Sequence, residues 1–507
     1  MAMRDKKKLI ITTSAVSAGF IVSYVAYQKI KEKKARERKE NLITLLKDSA
    51  LGVNTNEYKI LAQKVQYPKI KFKDENGNTP FLYACRYGHA HLVDYILDNL
   101  TTLNYASTVL EKNDEGCNAM HLCTHKGYID TLKLLFQLDP EYIEILIKGK
   151  TNEAKWTPLH IAASKGHLDC AQLILSFGVK SIINEKDSKG CTALLMASCN
   201  GYTDIVELLL NHDADPSIPV IDGRTPLHYA AHNNNPEIVK LILEARQKPA
   251  AELWDDDPLF MLNKSKCSAL HESSIMGDLE STKLLVEAGA DINITSRDGS
   301  TPLTSAIMRG HIEIIQYLLE KPNVDILTPT MFGFTPLISA ASKAQSDIVS
   351  LLLRNKDLIQ NMLYRDNDGS TALHHACQSI INSPIETIRI LLEKAKEANL
   401  EEYVDSVDFS GSTPLLSSCW HDSQYLPDIV DLLLKYGADP RKENKYGWCC
   451  LHVLSQQSSA CSKEVYNKIE EHIKKMYPDF FNTFSPTVKD PPAEYFQHPL
   501  MNIYKFH

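Results

Sequence analysis

Short segments with a helical period of apolar residues fill most of the chain. Two clear cases are Ile205-Val206-Glu207-Leu208-Leu209-Leu210 and Ile429-Val430-Asp431-Leu432-Leu433-Leu434, in which apolar side chains gather on one face of a helix. A shorter apolar segment precedes each of them, and a turn separates the two. The pattern predicts pairs of short helices that bury a shared side.

The shorter segments are copies of one motif. Its clearest copy runs from Asp222 to Ala231 and reads Asp-Gly-Arg-Thr-Pro-Leu-His-Tyr-Ala-Ala. Copies recur at spacings of 33 to 43 residues, and self-similarity at such a period is typical of repeat proteins. The residues at the threonine position of the eleven copies are Thr79, Asn118, Thr157, Thr192, Thr225, Ser268, Thr301, Thr335, Thr371, Thr413 and Cys449.

The residue types of the motif favour a helix with defined ends. Threonine can cap a helix N-terminus, and proline at the next position has a preset φ and loses no needed N–H. A glycine nine residues after the threonine position is suited to end the helix in a left-handed conformation. This glycine is present as Gly88, Gly127, Gly166, Gly201, Gly277 and Gly310. It is missing from the copies that begin at Thr335, Thr371 and Thr413.

Through this motif, the chain resembles the ankyrin-repeat family over about residues 70–480. The resemblance implies an all-α fold, a solenoid of stacked helix-turn-helix units that are joined by β-hairpin-like fingers. We expect about eleven repeats at 71–480 and a helical cap at 41–70, because the end unit of a solenoid lacks a neighbour on one side. The tail at 481–507 is rich in proline and aromatic residues, and it either packs on the last repeat or serves as a flexible peptide ligand.

Residues 1–40 have the pattern of a membrane anchor. Nineteen uncharged residues, Leu9 to Tyr27, are long enough to cross a bilayer as one helix, and clusters of lysine and arginine flank them. A cleavable signal peptide and a segment of neither kind are the alternatives. The apolar residues of the expected anchor are Leu9, Ile10, Ile11, Val16, Phe20, Ile21, Val22 and Val25.

Residues 1–40 also differ from the rest of the chain in net charge. The whole chain has a net charge of −8, with +7 on residues 1–40 and −15 on residues 41–507. The basic residues after the apolar segment predict a single-pass membrane protein whose body lies in the cytosol, at the mitochondrial outer membrane or the endoplasmic reticulum. An acidic body would repel a phosphate backbone, so we expect protein partners, possibly with basic segments, and no nucleic acid.

Motifs for catalysis or metal binding are not intact anywhere in the sequence. The best metal candidate is Cys117, His121, Cys123 and His125, but His121 and Cys123 occupy regular positions of the repeat motif. The twelve cysteines include no Cys-x-x-Cys pair and are expected as free, mostly buried thiols. We therefore expect no enzyme activity, no cofactor, no metal and no small-molecule substrate. An enzyme with a site in the long connections between repeats is the less favoured alternative.

The resemblance also implies where a partner would bind. In the ankyrin family, the finger tips and the exposed end of the first helix of each repeat line the concave face. Aromatic and arginine side chains are frequent anchors of protein interfaces. The expected partner-binding residues at helix ends are Arg86, Tyr87, His125, Lys126, Lys165, Ile275, Met276, Met308, Arg309 and Trp420. Those at finger positions are Trp156, Phe332, Phe334 and Trp448, with Phe409 and Tyr446 in the same setting.

The sequence thus predicts a membrane-tethered, non-catalytic scaffold that binds proteins through the concave face of an ankyrin solenoid. The alternative is a soluble ankyrin regulator whose N-terminal targeting peptide is removed. A long connection at 245–266 is either a docking loop or a cover over the adjacent groove.

Overall fold

The structure is a computed structural model. It describes residues 33, 73–100, 102–178, 180–248, 254, 256–355, 359, 362–380 and 382–482. The predicted anchor, the predicted cap at 41–70 and nearly all of the tail at 481–507 lie outside the described residues.

The predicted membrane topology requires a correction. Within the described ranges, no helix combines the length and the hydropathy that crossing a membrane requires. This finding contradicts the predicted localisation as a single-pass membrane protein.

The described residues form helices joined by turns, with no β-strand among them, and they divide into two compact units. Unit 1 ends at Ile221, and unit 2 begins at Asp222. Unit 1 holds the first four repeats, each with an inner helix followed by an outer helix. Its helices are α1 (Pro80–Tyr87), α2 (Ala90–Asp98), α3 (Thr102–Val109), α4 (Ala119–Lys126), α5 (Ile129–Leu135), α6 (Pro140–Ile147), α7 (Pro158–Lys165), α8 (Leu168–Ser176), α9 (Ala193–Asn200) and α10 (Thr203–Asn211).

Unit 2 holds the other seven repeats, in which odd-numbered helices are inner and even-numbered helices are outer. They are α11 (Pro226–His232), α12 (Pro236–Ala245), α13 (Ala269–Met276), α14 (Leu279–Glu287), α15 (Pro302–Arg309), α16 (Ile312–Leu319), α17 (Pro336–Ser342), α18 (Ser346–Leu352), α19 (Ala372–Gln378), α20 (Ile385–Glu397), α21 (Pro414–Cys419), α22 (Leu426–Lys435), α23 (Cys450–Ser455) and α24 (Ala460–Met476).

The threonine position begins each inner helix, as the sequence predicts. The Thr192 side chain accepts a hydrogen bond from the backbone N–H of Leu195, and Thr413 does the same for Leu416, at 3.2 Å in both cases. These bonds satisfy N–H groups that have no partner within the helix. Each inner helix then buries its leucine and its small residues against the neighbouring inner helices of its unit.

The six predicted helix-ending glycines all adopt a left-handed backbone, with φ between 72° and 82°. Gly277 shows why a side chain is excluded there. A Cβ atom at this residue would lie 2.6 Å from Cε1 of His311, which begins the outer helix of the next repeat. His311 in turn places its Nε2 2.9 Å from the carbonyl oxygen of Ile275, so the turn also fastens one repeat to the next.

Extra helical segments explain three of the longer spacings of the motif. The two spacings of 39 residues in unit 1 contain the additional helices α3 and α6, whose Tyr105 and Tyr142 rings lie 5.6 Å apart. The spacing of 42 residues between Thr371 and Thr413 contains the long helix α20 and a 3-10 turn at Glu401–Tyr403. The insertions therefore lengthen the outer part of a repeat and leave its inner helix unchanged.

Candidate functional site

The turns between repeats are linked by main-chain hydrogen bonds at their tips. In unit 2, the N–H of Met331 donates to the carbonyl of Asp298 (2.7 Å), and the N–H of Phe409 donates to the carbonyl of Asp368 (2.9 Å). Equivalent bonds join the other successive tips of unit 2 and the tips of unit 1. We call these turns fingers. Their side chains project from a connected main-chain scaffold within each unit.

Histidines of the repeat motif form a second set of links. In each case Nδ1 lies at the N-cap of its own inner helix, and Nε2 reaches a main-chain carbonyl just before the next inner helix. The Nε2–oxygen pairs are His121–Trp156 (2.9 Å), His160–Cys191 (3.1 Å), His228–Cys267 (3.0 Å), His271–Ser300 (2.9 Å) and His374–Ser412 (3.1 Å). We refer to these contacts as histidine joints.

The histidine joints require a neutral ring. Nδ1 of His160 accepts a hydrogen bond from the backbone N–H of Thr157, so the proton lies on Nε2, which donates to Cys191. Burial lowers the pKa of His121 and of His374 to about 4 in both cases, because desolvation disfavours the charged ring. Burial also lowers the pKa of His160, His228 and His271.

The histidine joints explain the role of His121, one of the residues in the metal candidate that the sequence suggests. Both ring nitrogens of His121 are hydrogen-bonded, to Asn118 and to the Trp156 carbonyl, while Cys123 is fully buried. His125 is exposed at the end of its helix. In the part of the chain that the structure describes, no group of three or more His, Cys, Asp or Glu residues has the arrangement of a metal site.

In unit 1, the structure places basic side chains at the ends of three successive inner helices. Lys126 and Lys165 are exposed, and Arg86 is half-buried. Their charges lie close enough to His125 to lower its pKa, after the larger effect of its burial. We call Arg86, Lys126 and Lys165 the basic row.

The two aromatic residues predicted for this surface of unit 1 have structural contacts. The Tyr87 ring lies 4.5 Å from that of Tyr83 in its own helix. Trp156 is half-buried, and its Nε1 donates to Oδ2 of Asp187 at 3.0 Å, which ties its finger to the next. A partner could therefore reach only part of either ring.

In unit 2, the predicted helix-end residues are mostly exposed. Met276 and Met308 are 38% and 39% exposed, Arg309 is exposed, and Ile275 is half-buried. They end the neighbouring helices α13 and α15. Met276 and Met308 are flexible apolar side chains of the kind that adapts to a partner.

Four exposed apolar residues occupy finger tips of unit 2. The exposed fractions are 61% for Met331, 52% for Phe332, 60% for Phe409 and 42% for Tyr446. We call these residues the tip strip. The finger that contains Asn367 lies between those of Phe332 and Phe409. The backbone N–H of Asn367 donates to the carbonyl of Phe332, and the backbone N–H of Phe409 donates to the carbonyl of Asp368. Sequence reasoning did not include Met331, although its place beside Phe332 in the finger was a sufficient signal.

Two predicted aromatic anchors lie deeper than expected. Trp448 is only 5% exposed and stacks on the half-buried Trp420, with ring centroids 5.5 Å apart and planes inclined by 28°. The expected exposure of Trp448 is therefore wrong, because its ring packs on the preceding repeat.

Phe334 also serves the interior of its unit. Its ring meets that of His375 edge-on, with centroids 4.7 Å apart, and His375 Nε2 lies 2.7 Å from Oδ2 of the buried Asp366. Oδ1 of Asp366 accepts the N–H groups of Asp368 and Ser370, which shape the finger. Phe334 thus covers a polar pair that holds a finger to an inner helix.

The described part of the 245–266 connection is fastened to unit 2. One edge of the Arg246 guanidinium meets both oxygens of the Asp257 carboxylate, with Nε–Oδ1 at 2.7 Å and Nη2–Oδ2 at 2.6 Å. The Arg246 guanidinium also lies over the Phe260 ring, 5.8 Å from its centroid. These contacts favour the interpretation that the connection covers the adjacent groove. The choice between a cover and a docking loop stays a prediction from the sequence.

Comparison with known proteins bears directly on the repeat architecture. A family model described as "Ankyrin repeats (3 copies)" matches residues 49–148, 137–220, 179–257, 217–296, 270–362, 321–402 and 356–444. The chain belongs to the ankyrin-repeat family. The match spans the inner helices of ten of the eleven motif copies, and the copy that begins at Cys449 lies just beyond it.

Relatives of this ankyrin-repeat chain differ widely in what they are named for. The chain is 28% identical to an NAD-dependent deacetylase, sir2B, of Dictyostelium discoideum over 64% of its own length and 44% of the relative. It is 30% identical to a probable E3 ubiquitin-protein ligase, XBOS33, of Oryza sativa subsp. japonica over 41% of its own length and 39% of the relative. It is 29% identical to inversin of Canis lupus familiaris over 36% of its own length and 16% of the relative.

The chain thus covers less than half the length of each of these relatives. The family model that matches this chain describes ankyrin repeats, and such repeats are typically non-catalytic. The names of two relatives refer to enzymes, so enzymatic activity of this chain stays open.

Proposed function

We propose that this chain is an ankyrin-repeat module that binds other proteins without acting on them chemically. The observation that carries the proposal is the tip strip of unit 2, where Met331, Phe332, Phe409 and Tyr446 expose apolar surface on fingers whose main chains are bonded together. Exposed apolar side chains that gather on one surface are typical of interaction sites. A fixed main chain lowers the entropy that is lost when such side chains are buried by a partner.

The tip strip suits a partner with apolar or aromatic anchors. Met276 and Met308 supply further exposed apolar surface on the inner helices of the same unit. The predicted preference for basic partner segments rests on the charge of −15 over residues 41–507, which would speed the approach of a positively charged protein. That preference stays a prediction.

Proximity labelling with the full-length chain tests the tip strip. The double variant Phe332→Ser/Phe409→Ser is compared with wild type and with Ile145→Ser, which changes an apolar residue of similar exposure (47%) on α6. We expect the tip-strip variant to lose a set of labelled proteins that the wild type and Ile145→Ser retain. Circular dichroism must show equal helicity for all three chains, and retention of the same proteins by the tip-strip variant contradicts the proposal.

The basic row of unit 1 suggests a second contact of the same module, with acidic segments. Arg86, Lys126 and Lys165 end successive inner helices, where positive charge also stabilises the helix dipole. The double variant Lys126→Glu/Lys165→Glu should weaken binding of an oligoglutamate peptide in low salt. The reversal Lys180→Glu, at an exposed lysine in a 3-10 turn of the same unit, is the control that should leave binding unchanged. Equal affinity in all three proteins rules out this contact.

A further inference from the structure

Three basic side chains occupy two neighbouring finger tips of unit 2. Lys264 and Lys266 lie on the finger before α13, Arg297 lies on the finger before α15, and all three are exposed. The backbone N–H of Arg297 donates to the carbonyl of Ser265 at 2.7 Å, which holds the two fingers side by side. Within the part of the chain that the structure describes, none of the three side chains has an ion-pair partner. We call Lys264, Lys266 and Arg297 the basic tips.

The basic tips give these two fingers a local excess of positive charge. Residues 263–267 and 296–300 contain a single acidic residue, Asp298. The finger before α11 differs, since Nη2 of its Arg224 lies 3.4 Å from Oε1 of the buried Glu272 and is balanced by that carboxylate. The positive charge that a partner would meet at the tips is therefore concentrated on the fingers before α13 and α15.

The backbone of Lys266 indicates that its side chain has a use. Lys266 is left-handed, with φ of 57°, which is unfavourable for a residue that carries a Cβ atom. Residues held in such conformations gather at functional sites. The other fingers of unit 2 have glycine at the same position, with φ between 78° and 85°: Gly223, Gly299, Gly333, Gly369, Gly411 and Gly447. The lysine thus stands where the fold itself favours glycine.

The basic tips and the tip strip are consecutive parts of one edge. The backbone N–H of Met331 donates to the carbonyl of Asp298 at 2.7 Å, so the tip strip begins on the finger that follows the basic tips. Asp368 lies on the finger between those of Phe332 and Phe409, where its charge disfavours an acidic partner residue. The edge therefore has a basic beginning and an apolar continuation.

We propose that the partner of the tip strip is an extended acidic–aromatic peptide segment, with a block of Asp or Glu on the basic tips and apolar or aromatic anchors at Phe332 and Phe409. The inference rests on the proposed function, because it names the partner class of the same tip strip. Neighbouring helices pack about 8–10 Å apart and an extended chain rises about 3.3 Å per residue, so one finger corresponds to about three residues. The two anchors should be about six residues apart, and the nearer one about three residues from the acidic block.

At contact distance, the basic tips outweigh the net charge of the chain. The charge of −15 over residues 41–507 favours the approach of basic segments, but salt screens charges beyond about 8 Å at physiological ionic strength. A carboxylate in contact with Lys264 and Arg297 therefore interacts mainly with these two side chains. At the far end of the tip strip, the exposed Lys445 is accompanied by the exposed Glu443, so no such excess arises there.

Fluorescence anisotropy with the full-length chain tests the partner class. The labelled peptides have two phenylalanines about six residues apart and, beyond one of them, a short block of glutamate, lysine or serine. Each is made in both chain directions, because the side chains of the edge do not set the direction. In low salt, the better glutamate peptide should bind about tenfold more tightly than the serine peptide, and the lysine peptide most weakly. This order should fade in about 0.5 M salt. Lysine peptides that bind as tightly as glutamate peptides overturn the inference, as does the absence of binding to any peptide.

Charge reversal at the basic tips tests the location of the acidic block. The variant Lys264→Glu/Lys266→Glu should lose the preference for the glutamate peptide over the serine peptide. The matched control, Lys463→Glu/Lys475→Glu, makes the same change in net charge at two exposed lysines of α24 and should keep the preference. A preference that survives in the first variant, or that disappears in both, contradicts an acidic block on the basic tips.

Two further variants separate this inference from the proposed function. Lys266→Gly introduces the residue that the other fingers use, so it should unfold no more readily than wild type and yet bind the glutamate peptide about threefold more weakly. Unchanged affinity in this variant overturns the role of Lys266. Phe332→Ser/Phe409→Ser should weaken binding of all the peptides, including the serine peptide. Unchanged binding of the serine peptide there contradicts the tip strip itself, whereas effects confined to the lysine variants leave the tip strip in place.

Discussion

His374 Nε2 lies 3.1 Å from the carbonyl oxygen of Ser412, 38 residues farther along the chain. The same ring accepts the Thr371 N–H through Nδ1, so one buried side chain holds the start of its own helix and the finger of the next repeat. The stack in unit 2 thus depends on a polar contact in its interior as well as on apolar packing.

Removal of this ring should destabilise the chain strongly. We expect His374→Ala to lower the free energy of unfolding by about 2–4 kcal/mol, because it leaves buried hydrogen-bonding groups unsatisfied and creates a cavity. Urea unfolding followed by circular dichroism measures the change. His212→Ala is the control, since His212 is exposed and its Nδ1 lies 2.9 Å from the carbonyl oxygen of Leu208, one turn earlier along the chain. Equal, small losses in the two variants contradict the importance of the joint.

Stability should fall as the medium becomes acidic. The joint histidines are neutral in the folded chain, and burial lowers the pKa of His121 and His374 to about 4, below the unfolded value of about 6.5. Above about pH 6.5 both states are neutral, so the histidines add no pH dependence there. Below it the unfolded chain binds protons that the folded chain does not, and each histidine lowers the free energy of unfolding by up to about 1.4 kcal/mol per pH unit.

Urea unfolding between about pH 7 and pH 4.5 checks this dependence. Hydrogen bonds lower the pKa of Asp298, Asp325 and Asp439, so these carboxylates lose their stabilising effect only at lower pH. The variant His121→Gln should show a shallower decline than wild type over the same range. A free energy of unfolding that stays constant or rises as the pH falls through this range is incompatible with neutral, buried joints.

Gly369 should tolerate a side chain less well than Gly437. Both have a left-handed backbone, with φ of 81° and 91°. A Cβ atom at Gly369 would lie 2.6 Å from Cδ1 and 2.7 Å from the backbone nitrogen of Phe409, whereas one at Gly437 would meet no described atom within 4 Å. We expect Gly437→Ala to cost about 1 kcal/mol from its backbone alone. Gly369→Ala should cost more and should weaken partner binding by displacing Phe409, as thermal unfolding and binding assays of the two variants would show.

Cys199 should be the first thiol to react in the folded chain. It is the exposed member of the cysteines, and the others are buried or half-buried. Burial also raises the pKa of Cys191 and of Cys267 to about 11, which leaves little thiolate on these partly accessible residues. Titration with a thiol reagent near pH 8 should show one fast phase that Cys199→Ser abolishes. Several fast thiols in that variant would mean that the stack opens readily.

Residues within single copies of the motif correctly predicted where the inner helices begin and end. The N-caps at Thr192 and Thr413 and the left-handed glycines such as Gly277 depend on residues a few positions apart, so single copies of the motif reveal them. The additional helices α3 and α6 were not predicted, since they lie in the variable part of a repeat, where no periodic copy exists for comparison.

The site was harder to predict than the fold. The sequence predicts that Trp448 is an exposed interface residue. In the structure, the ring of Trp420 from the previous repeat stacks on the Trp448 ring and covers it. The partner of His121 is likewise a main-chain carbonyl 35 residues away, which no side-chain pattern marks. Contacts between repeats depend on how two copies stack, and the motif alone describes one copy at a time.

The histidine joints bond the backbone of the next finger and make no demand on its side chain. The residues whose carbonyls are used are Trp156, Cys191, Cys267, Ser300 and Ser412, which have little in common. Mutation at these positions can therefore change the chemistry of a finger without loosening the repeat that precedes it. Such a scaffold can diversify what it recognises one finger at a time, while the residues that keep it folded stay the same.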